Sequence, residues 1–181
     1  MILGIDTGLA TCGWALLDET TRQFQDLGVI EQPKSPAMNV TLDRAVRTNK
    51  QAQVLAGKLV GCSMIVVEQM SFPPGAGINA AVPIALSWGV VVGLVASMPV
   101  RPRLLTVSPQ KWQRAVQPNA GKRIDYDEIA HTAAQYILSK HPQASMALQL
   151  LPKAQQSHAI DAAMIALMGA LRPGVCTEVR S

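Results

Sequence analysis

The chain is poor in aromatic residues, in cysteine and in charge. Phe, Trp and Tyr make up 4% of its 181 residues, so a core must consist mainly of Ala, Val, Ile, Leu and Met. The cysteines, Cys12, Cys62 and Cys176, form no CxxC pair, which argues against a zinc ribbon or a disulfide framework. We therefore expect a reducing compartment, the cytoplasm or, in a eukaryote, an organelle matrix. The first residues lack a basic region, so we expect no signal peptide.

Charged residues account for 15% of the sequence and hydrophobic residues for 49%, a balance that excludes intrinsic disorder. The net charge of +4 permits a polyanionic partner without requiring one. A chain of this length is expected to form one domain with a core of its own. We place that domain at residues 1–172 and expect a frayed C-terminal tail at 173–181.

Apolar runs and turn residues predict an α/β fold. The first three predicted strands form a meander, and helices alternate with strands after it, which implies a mixed five-stranded sheet flanked by helices. The strands are predicted at MILGID, CGWALLD, QFQDLGVIEQ, SMIVVEQ and RPRLLTV. Apolar residues at helical spacing predict an amphipathic first helix. They are Leu42, Ala45, Val46, Ala52, Leu55, Ala56 and Leu59.

No charged residue occurs from Gln69 to Val100. Pro83 and Pro99 predict a helix from about Ile84 to Ser97, which is shorter than the ~20 residues that usually span a bilayer. The length of the whole apolar stretch leaves a membrane span open. We favour instead a helix that covers the sheet and binds a second copy of the chain, with no membrane partner. The predicted contact residues are Ala85, Gly89 and Gly93, with Trp88 beside them.

Two carboxylates interrupt apolar strands. Asp6 ends the first strand and Glu68 ends the strand after the first helix, and both are costly there unless charged partners or a metal satisfy them. These strands can lie side by side in a mixed sheet, which brings the carboxylates together. Because two such anions repel, either one is protonated or cations lie between them. Oxygen ligands favour Mg²⁺ or Mn²⁺ over zinc.

The last helix offers a second polar pair. His158 and Asp161 are three residues apart and so share one helix face. One alternative is that Asp161 only complements the helix dipole and that His158 is a packed side chain. We favour a common site because Asp6 and Glu68 also need a cation.

Taken in order, these motifs resemble those of RuvC-type Holliday-junction resolvases. GIDTGLATCGWALLD is similar to their opening GIDPG…G motif, VVEQM to their second acidic strand, and QQSHAIDAAMIAL to their C-terminal acidic helix. Between these, an apolar AxxxGxxxG helix is followed by a strand, by SPQKWQRAV and by GKR. The likeness runs from about Met1 to Leu171.

The resemblance implies a ribonuclease-H-like nuclease domain that acts as a homodimer. It implies paired, metal-dependent phosphodiester hydrolysis at four-way DNA junctions in recombination and repair, with 5′-phosphate products. Two Mg²⁺ ions would be held at each active site, with Mn²⁺ as a substitute, and a branch-migration machinery is an implied partner. Carried over by position, the catalytic and metal-binding residues are Asp6, Glu68, His158 and Asp161. His158 stands where many members have Asp and some have His.

The resemblance also implies DNA contacts. Lys111 and Lys122 match lysines near the active site of the family, and Phe72 lies one residue after the position of an aromatic side chain that helps to open the junction. A wider basic cluster would neutralise phosphates, although such a cluster can also be a solvated surface. Besides the two lysines, it contains Arg101, Arg103, Arg114 and Arg123.

Other functions remain open. IDTG is similar to the phosphate loop of actin-like ATPases, but those proteins need a second domain and a second glycine-rich loop, which this sequence lacks. A junction-binding protein that does not cut is a second alternative. The presence of Asp6, Glu68 and Asp161 favours cutting. A third alternative is a resolvase-like nuclease of broad branched-DNA specificity, with a modified loop at residues 71–77.

Overall fold

The computed structural model describes residues 1–36, 39–70, 75, 77–116 and 126–179, without the side chains of 126–131. Its strands are β1 (Ile2–Asp6), β2 (Thr11–Leu17), β3 (Phe24–Glu31), β4 (Met64–Glu68), β5 (Arg103–Val107) and β6 (Thr177–Glu178). In this part of the chain the six strands form one mixed sheet in the order β3–β2–β1–β4–β5–β6.

The helices lie on both faces of this sheet. Within the described residues they are α1 (Val40–Leu59), α2 (Ile78–Ser97), α3 (Pro109–Val116), α4 (Tyr126–Lys140), α5 (Pro142–Leu150) and α6 (Lys153–Leu171). One apolar cluster joins the sheet to α1 and α2, and a second joins its other face to α3, α4, α5 and α6. The α/β class predicted from the sequence is confirmed.

The strand pairing places two parallel strands at the centre. β1 pairs with β2 in antiparallel fashion and with β4 in parallel, and β4 continues in parallel to β5. Ile5 is paired with Val67, so Asp6 and Glu68 follow at neighbouring positions where the two strands end. The predicted adjacency of the two carboxylates is therefore confirmed.

Glycines allow α6 to lie directly on the backbone of β1 and β2. A Cβ atom at Gly4 would collide with the carbonyl oxygen of Ala162, and one at Gly13 would collide with the carbonyl oxygen of His158. Both obstacles are backbone atoms, so they cannot move aside as a flexible side chain would. The glycines of the first motif thus fix how closely α6 approaches the ends of the strands.

The sheet has one strand more than predicted. The expected frayed tail is wrong for its described part, because Thr177 and Glu178 pair in antiparallel fashion with Thr106 and Leu105. An ion pair of 3.2 Å between Arg103 Nε and Glu178 Oε1 joins the same two strands. The C-terminal segment thus closes the edge of β5.

The prediction for α1 is right in its second half only. Leu55 and Leu59 are buried, as the amphipathic pattern requires. Leu42 and Val46 are 50% and 47% exposed, whereas Asp43 is buried in an ion pair with Arg47. The ion pair satisfies the buried carboxylate, while apolar side chains of the N-terminal half of α1 remain on the surface.

The uncharged helix begins earlier than predicted. α2 starts at Ile78, so Pro83 lies inside it rather than at its beginning. A proline so near the N-terminal end removes one backbone hydrogen bond, which the helix tolerates. α2 is the one helix in the described ranges that is long and apolar enough to cross a membrane. Of its most apolar 18-residue stretch, 17% is buried. The argument from short length against a membrane span therefore fails.

We predict that Gly4→Ala lowers the melting temperature by about 5 °C. The added methyl group forces α6 away from β1, and overpacking of this kind costs about 2 kcal/mol, at about 2–4 °C per kcal/mol in a chain of this size. Thermal unfolding followed by circular dichroism measures the change. Gly57→Ala in α1 is the matched control, since nothing lies within 4 Å of its added Cβ. An unchanged melting temperature for Gly4→Ala would contradict the close packing of α6.

Candidate active site

The strand alternation directs the Asp6 and Glu68 side chains to one face of the sheet. Ile5 and Val67 belong to the apolar cluster beneath α1 and α2. Because successive side chains of a strand point to opposite faces, Asp6 and Glu68 face the side that carries α6. Both are partly buried. The ends of β1 and β4 therefore present two carboxyl groups to one helix.

α6 brings His158 and Asp161 to this place. His158 Nδ1 lies 2.7 Å from Oδ2 of Asp6. An ionised carboxylate can only accept hydrogen bonds, so the ring nitrogen is the donor. Asp161 follows one turn later and interacts electrostatically with Asp6, Glu68 and His158. The structure thus brings the four residues into one neighbourhood.

The environment of the site disfavours the ionised forms of Glu68 and Asp161. Burial, with the neighbouring charges of Asp6 and Asp161, raises the pKa of Glu68 to about 8. Burial and Asp6 raise the pKa of Asp161 to about 7, although His158 opposes that rise. The hydrogen bond to Asp6 raises the pKa of His158 above its usual range. Burial of a carboxyl group is the larger cause of these rises, and the nearby like charges add to it.

The donor chemistry suits a hard divalent cation. Three carboxyl groups and an imidazole supply oxygen and nitrogen ligands, and oxygen ligands favour Mg²⁺ or Mn²⁺. In the described ranges, however, no group of three or more His, Cys, Asp or Glu side chains stands in an arrangement ready to hold an ion. His158 is hydrogen-bonded to Asp6 through Nδ1, so this ring nitrogen is not available to a metal ion in this arrangement. Its role as a metal ligand stays a prediction.

Two indole rings flank Glu68, and sequence reasoning assigned them no part in the site. The Trp88 indole donates to the main-chain oxygen of Glu68 at 3.3 Å. Trp88 is partly buried and its indole N–H turns to the end of β4, so contact of its ring with a partner chain stays a prediction. Trp112 is 3% exposed, and the proximity of its indole to the Glu68 carboxyl works against the rise in the pKa of Glu68. These contacts follow from the packing of α2 and α3 on the sheet, which the sequence does not reveal.

Of the predicted DNA-binding residues, the structure describes Lys111 and Arg114. Lys111 and Arg114 are exposed on α3, which follows the end of β5 beside Glu68. Lys111 Nζ donates to the carbonyl oxygen of Val175 at 3.0 Å, so it is held by the C-terminal segment. Phe72, Lys122 and Arg123 lie outside the described residues.

The wider basic cluster is wrong for its arginines in β5 and just before it. Arg103 is paired with Met64 at the start of two parallel strands, whereas Glu68 is paired with Val107 at their end. Arg101 precedes Arg103, so both lie where these parallel strands begin, whereas the carboxyl groups lie where the strands end. Lys111 and Arg114, on the helix that follows β5, lie at the strand ends that carry the carboxyl groups.

Solved structures with this fold include junction resolvases. RuvC of Thermus thermophilus in complex with Holliday junction substrate has a TM-score of 0.69 and 18% identity, over 98% of each chain. Another T. thermophilus RuvC structure has a TM-score of 0.65 and 17% identity, over 98% of this chain and 99% of that one. Fowlpox virus resolvase in complex with its substrate Holliday junction DNA has a TM-score of 0.58 and 11% identity, over 92% and 96%.

No family model matches the sequence, and no curated protein matches it. The structural likeness covers nearly the whole chain and shows that the fold is the ribonuclease-H-like fold of RuvC. The fold implied by the sequence resemblance is thereby confirmed.

The raised pKa values predict that the metal-free protein loses stability as pH rises. In the folded chain Glu68 keeps its proton up to about pH 8, whereas in the unfolded chain it loses the proton near 4.5. The folded state binds more protons in between, so the free energy of unfolding falls. Asp161 and His158 act in the same direction, since their pKa values are also raised.

We expect the melting temperature in EDTA to be about 5 °C lower at pH 8.5 than at pH 5.5, which corresponds to about 2 kcal/mol. Scanning calorimetry across this range measures the slope. Glu68→Gln should flatten it, and Mg²⁺ should restore stability at pH 8.5. A melting temperature that rises over this range in EDTA would contradict the account of the site.

Proposed function

We propose that this chain is a divalent-metal-dependent endodeoxyribonuclease that resolves four-way DNA junctions. The observation that carries the proposal is that Asp6 and Glu68 lie at the carboxyl ends of two adjacent parallel strands and that Asp161 of α6 is close enough to interact electrostatically with both. Support comes from the fold, which is shared with two resolvases solved together with Holliday junction DNA. From the resemblance we extend the proposal to recombination and repair in the cytoplasm, with a branch-migration machinery as a partner.

Asp6, Glu68 and Asp161 would hold Mg²⁺, and we propose two ions for each site, with Mn²⁺ as a substitute. Ions held by these residues would supply the Lewis-acid chemistry for phosphodiester hydrolysis with 5′-phosphate products. Glu68 and Asp161 exchange protons for the cations, so metal binding releases protons and strengthens as pH rises. His158 orients Asp6 through their hydrogen bond.

The nucleic acid is held, in this proposal, by α3 and the residues after it. Lys111 and Arg114 are exposed at the edge of the sheet where the carboxyl groups lie. Lys111 must exchange its bond to the Val175 carbonyl for a phosphate, which costs little because the bond is exposed to water. Lys122, Arg123 and Phe72 keep their predicted roles in DNA binding.

We further propose that the exposed faces of α1 and α2 bind a second copy of the chain. The surface combines the uncharged α2 with exposed apolar residues, which soluble monomers rarely leave uncovered. These are Val40, Leu42, Val46 and Ile78. A two-fold dimer would match the two-fold symmetry of a four-way junction and supply two active sites. The groove between the helices also contains polar and charged side chains, which favour a protein partner over lipid. They are Thr41, Arg44, Thr48 and Asn49.

Asp6→Asn should abolish cleavage and leave junction binding intact. The change removes a charge that holds the metal but keeps every predicted DNA contact, so the single-turnover rate should fall at least about a hundredfold. Four-way, three-way and linear duplex DNA are compared with Mg²⁺ and with EDTA, and binding is measured in EDTA. Asp26→Asn, a surface carboxylate paired with Lys58, is the control and should keep wild-type activity.

Cutting by Asp6→Asn at the wild-type rate would refute the metal site. A wild-type protein that binds four-way DNA without cutting it supports the non-cutting alternative. Equal cutting of four-way and three-way substrates supports the nuclease of broad branched-DNA specificity.

Gly89→Glu should convert the dimer into monomers. Nothing lies within 4 Å of a Cβ at Gly89, so the protomer accepts the side chain, whereas a charge in the apolar interface opposes pairing. Sedimentation velocity without detergent measures the mass. Gly174→Glu, at an equally open and exposed site outside α1 and α2, is the control and should remain dimeric. A wild-type monomer at micromolar concentration would end the dimer proposal, and a need for detergent would favour the membrane alternative.

A further inference from the structure

The end of β4 is fixed by two hydrogen bonds that reach it from different elements. The Gln69 amide donates to the carbonyl oxygen of Val107 at 2.8 Å, which extends the pairing with β5 by one residue. The Trp88 indole donates to the carbonyl oxygen of Glu68 at 3.3 Å, from α2 on the opposite face of the sheet to α6. Together the bonds hold the peptide that follows Glu68 on both of its polar atoms, and so fix the backbone from which the carboxyl group projects.

The Trp88 ring stands on a rigid base. It packs against the apolar cluster that contains Val67 and Ile5. The preceding residue, Ser87, is fully buried and accepts a hydrogen bond of 2.6 Å from Gln51 Nε2 of α1. This buried bond fixes the rotation of α2 about its own axis at that point. Rotation of α2 would carry the indole N–H away from β4.

We propose that Trp88 is a positioning residue for Glu68: its indole N–H fixes the Glu68 carbonyl and thereby aims the Glu68 carboxyl at the metal site. This inference rests on the proposed function and adds a residue to it from the far side of the sheet. Because Trp88 belongs to α2, the helix of the proposed dimer interface and a ligand of the proposed metal site are joined by one hydrogen bond.

Trp88→Phe tests the inference, since it keeps an aromatic ring and removes only the donor. Mn²⁺ affinity without DNA is measured from the electron paramagnetic resonance signal of free Mn²⁺. Loss of a hydrogen-bond partner behind a metal ligand typically weakens binding by 10–100-fold, so we expect about a tenfold rise in Kd. A merely structural role would lower the melting temperature and leave this Kd unchanged.

Trp14→Phe is the matched control. Its indole lies under Lys58 Nζ, 3.7 Å from the ring centroid, and is buried in the same apolar cluster as Trp88. The substitution should lower stability without changing the Kd for Mn²⁺. An equal weakening of Mn²⁺ binding in both variants would overturn the positioning role of Trp88.

A measurement on the wild-type protein covers the case in which Trp88→Phe does not fold. The three tryptophan indole N–H signals are observed with ¹⁵N labelling and assigned with the Trp14→Phe and Trp112→Phe variants. Mg²⁺ should shift the Trp88 signal and leave that of Trp14 in place. A Trp88 signal unmoved by saturating Mg²⁺ would overturn the inference.

The outcomes separate this inference from the proposed function. If the wild-type protein binds Mn²⁺ but cuts no junction, while Trp88→Phe still binds about tenfold more weakly, the nuclease proposal fails and the positioning role stands. If Trp88→Phe binds Mn²⁺ like the wild type, the positioning role fails and the nuclease proposal is untouched. A wild-type protein that binds no Mn²⁺ at millimolar concentration overturns both.

Discussion

The repulsion between carboxyl groups at the ends of β1 and β4 is the constraint on which the site depends. The parallel register puts Asp6 beside Glu68, and α6 adds Asp161 from above. Burial itself penalises the ionised carboxyl groups, the repulsion adds to this penalty, and the pKa values of Glu68 and Asp161 rise as a result. His158 offsets part of the charge through its bond to Asp6. Strongly shifted pKa values of this kind are typical of functional sites.

The close packing of α6 allows these groups to meet. Gly4 and Gly13 let the helix backbone touch the backbone of the strands, so a side chain as short as that of Asp161 reaches the carboxyl groups. On the other face, α1 and α2 leave apolar surface uncovered, while Trp88 links α2 to Glu68. Each face thus has its own part in the proposal: one presents the chemistry, and the other presents a surface for a second copy.

Sequence patterns predicted the features that depend on local periodicity. The apolar strand runs, the carboxylates that end them, and the i, i+3 spacing of His158 and Asp161 gave the class of the fold and the candidate ligands. The adjacency of β1 and β4 was also predicted, whereas the pairing of one very short strand was missed. β6 is two residues long, and its place beside β5 follows from backbone contacts that carry no side-chain pattern.

Other misses have different physical causes. The proline at position 83 looked like a helix start, because sequence alone does not show whether the turn before it is helical. In the N-terminal half of α1, Asp43 is buried with Arg47 while Leu42 and Val46 face outward, an arrangement that the periodicity of apolar residues does not reveal. Arg103 was grouped with Lys111 although strand direction separates them.

Anomalous diffraction from crystals grown with Mn²⁺ tests the central claim most directly. The account predicts manganese density bounded by the carboxyl groups of Asp6, Glu68 and Asp161, with Glu68 still held by the Trp88 indole. Manganese found only at other places on the protein, with these three carboxyl groups uncoordinated, would contradict it.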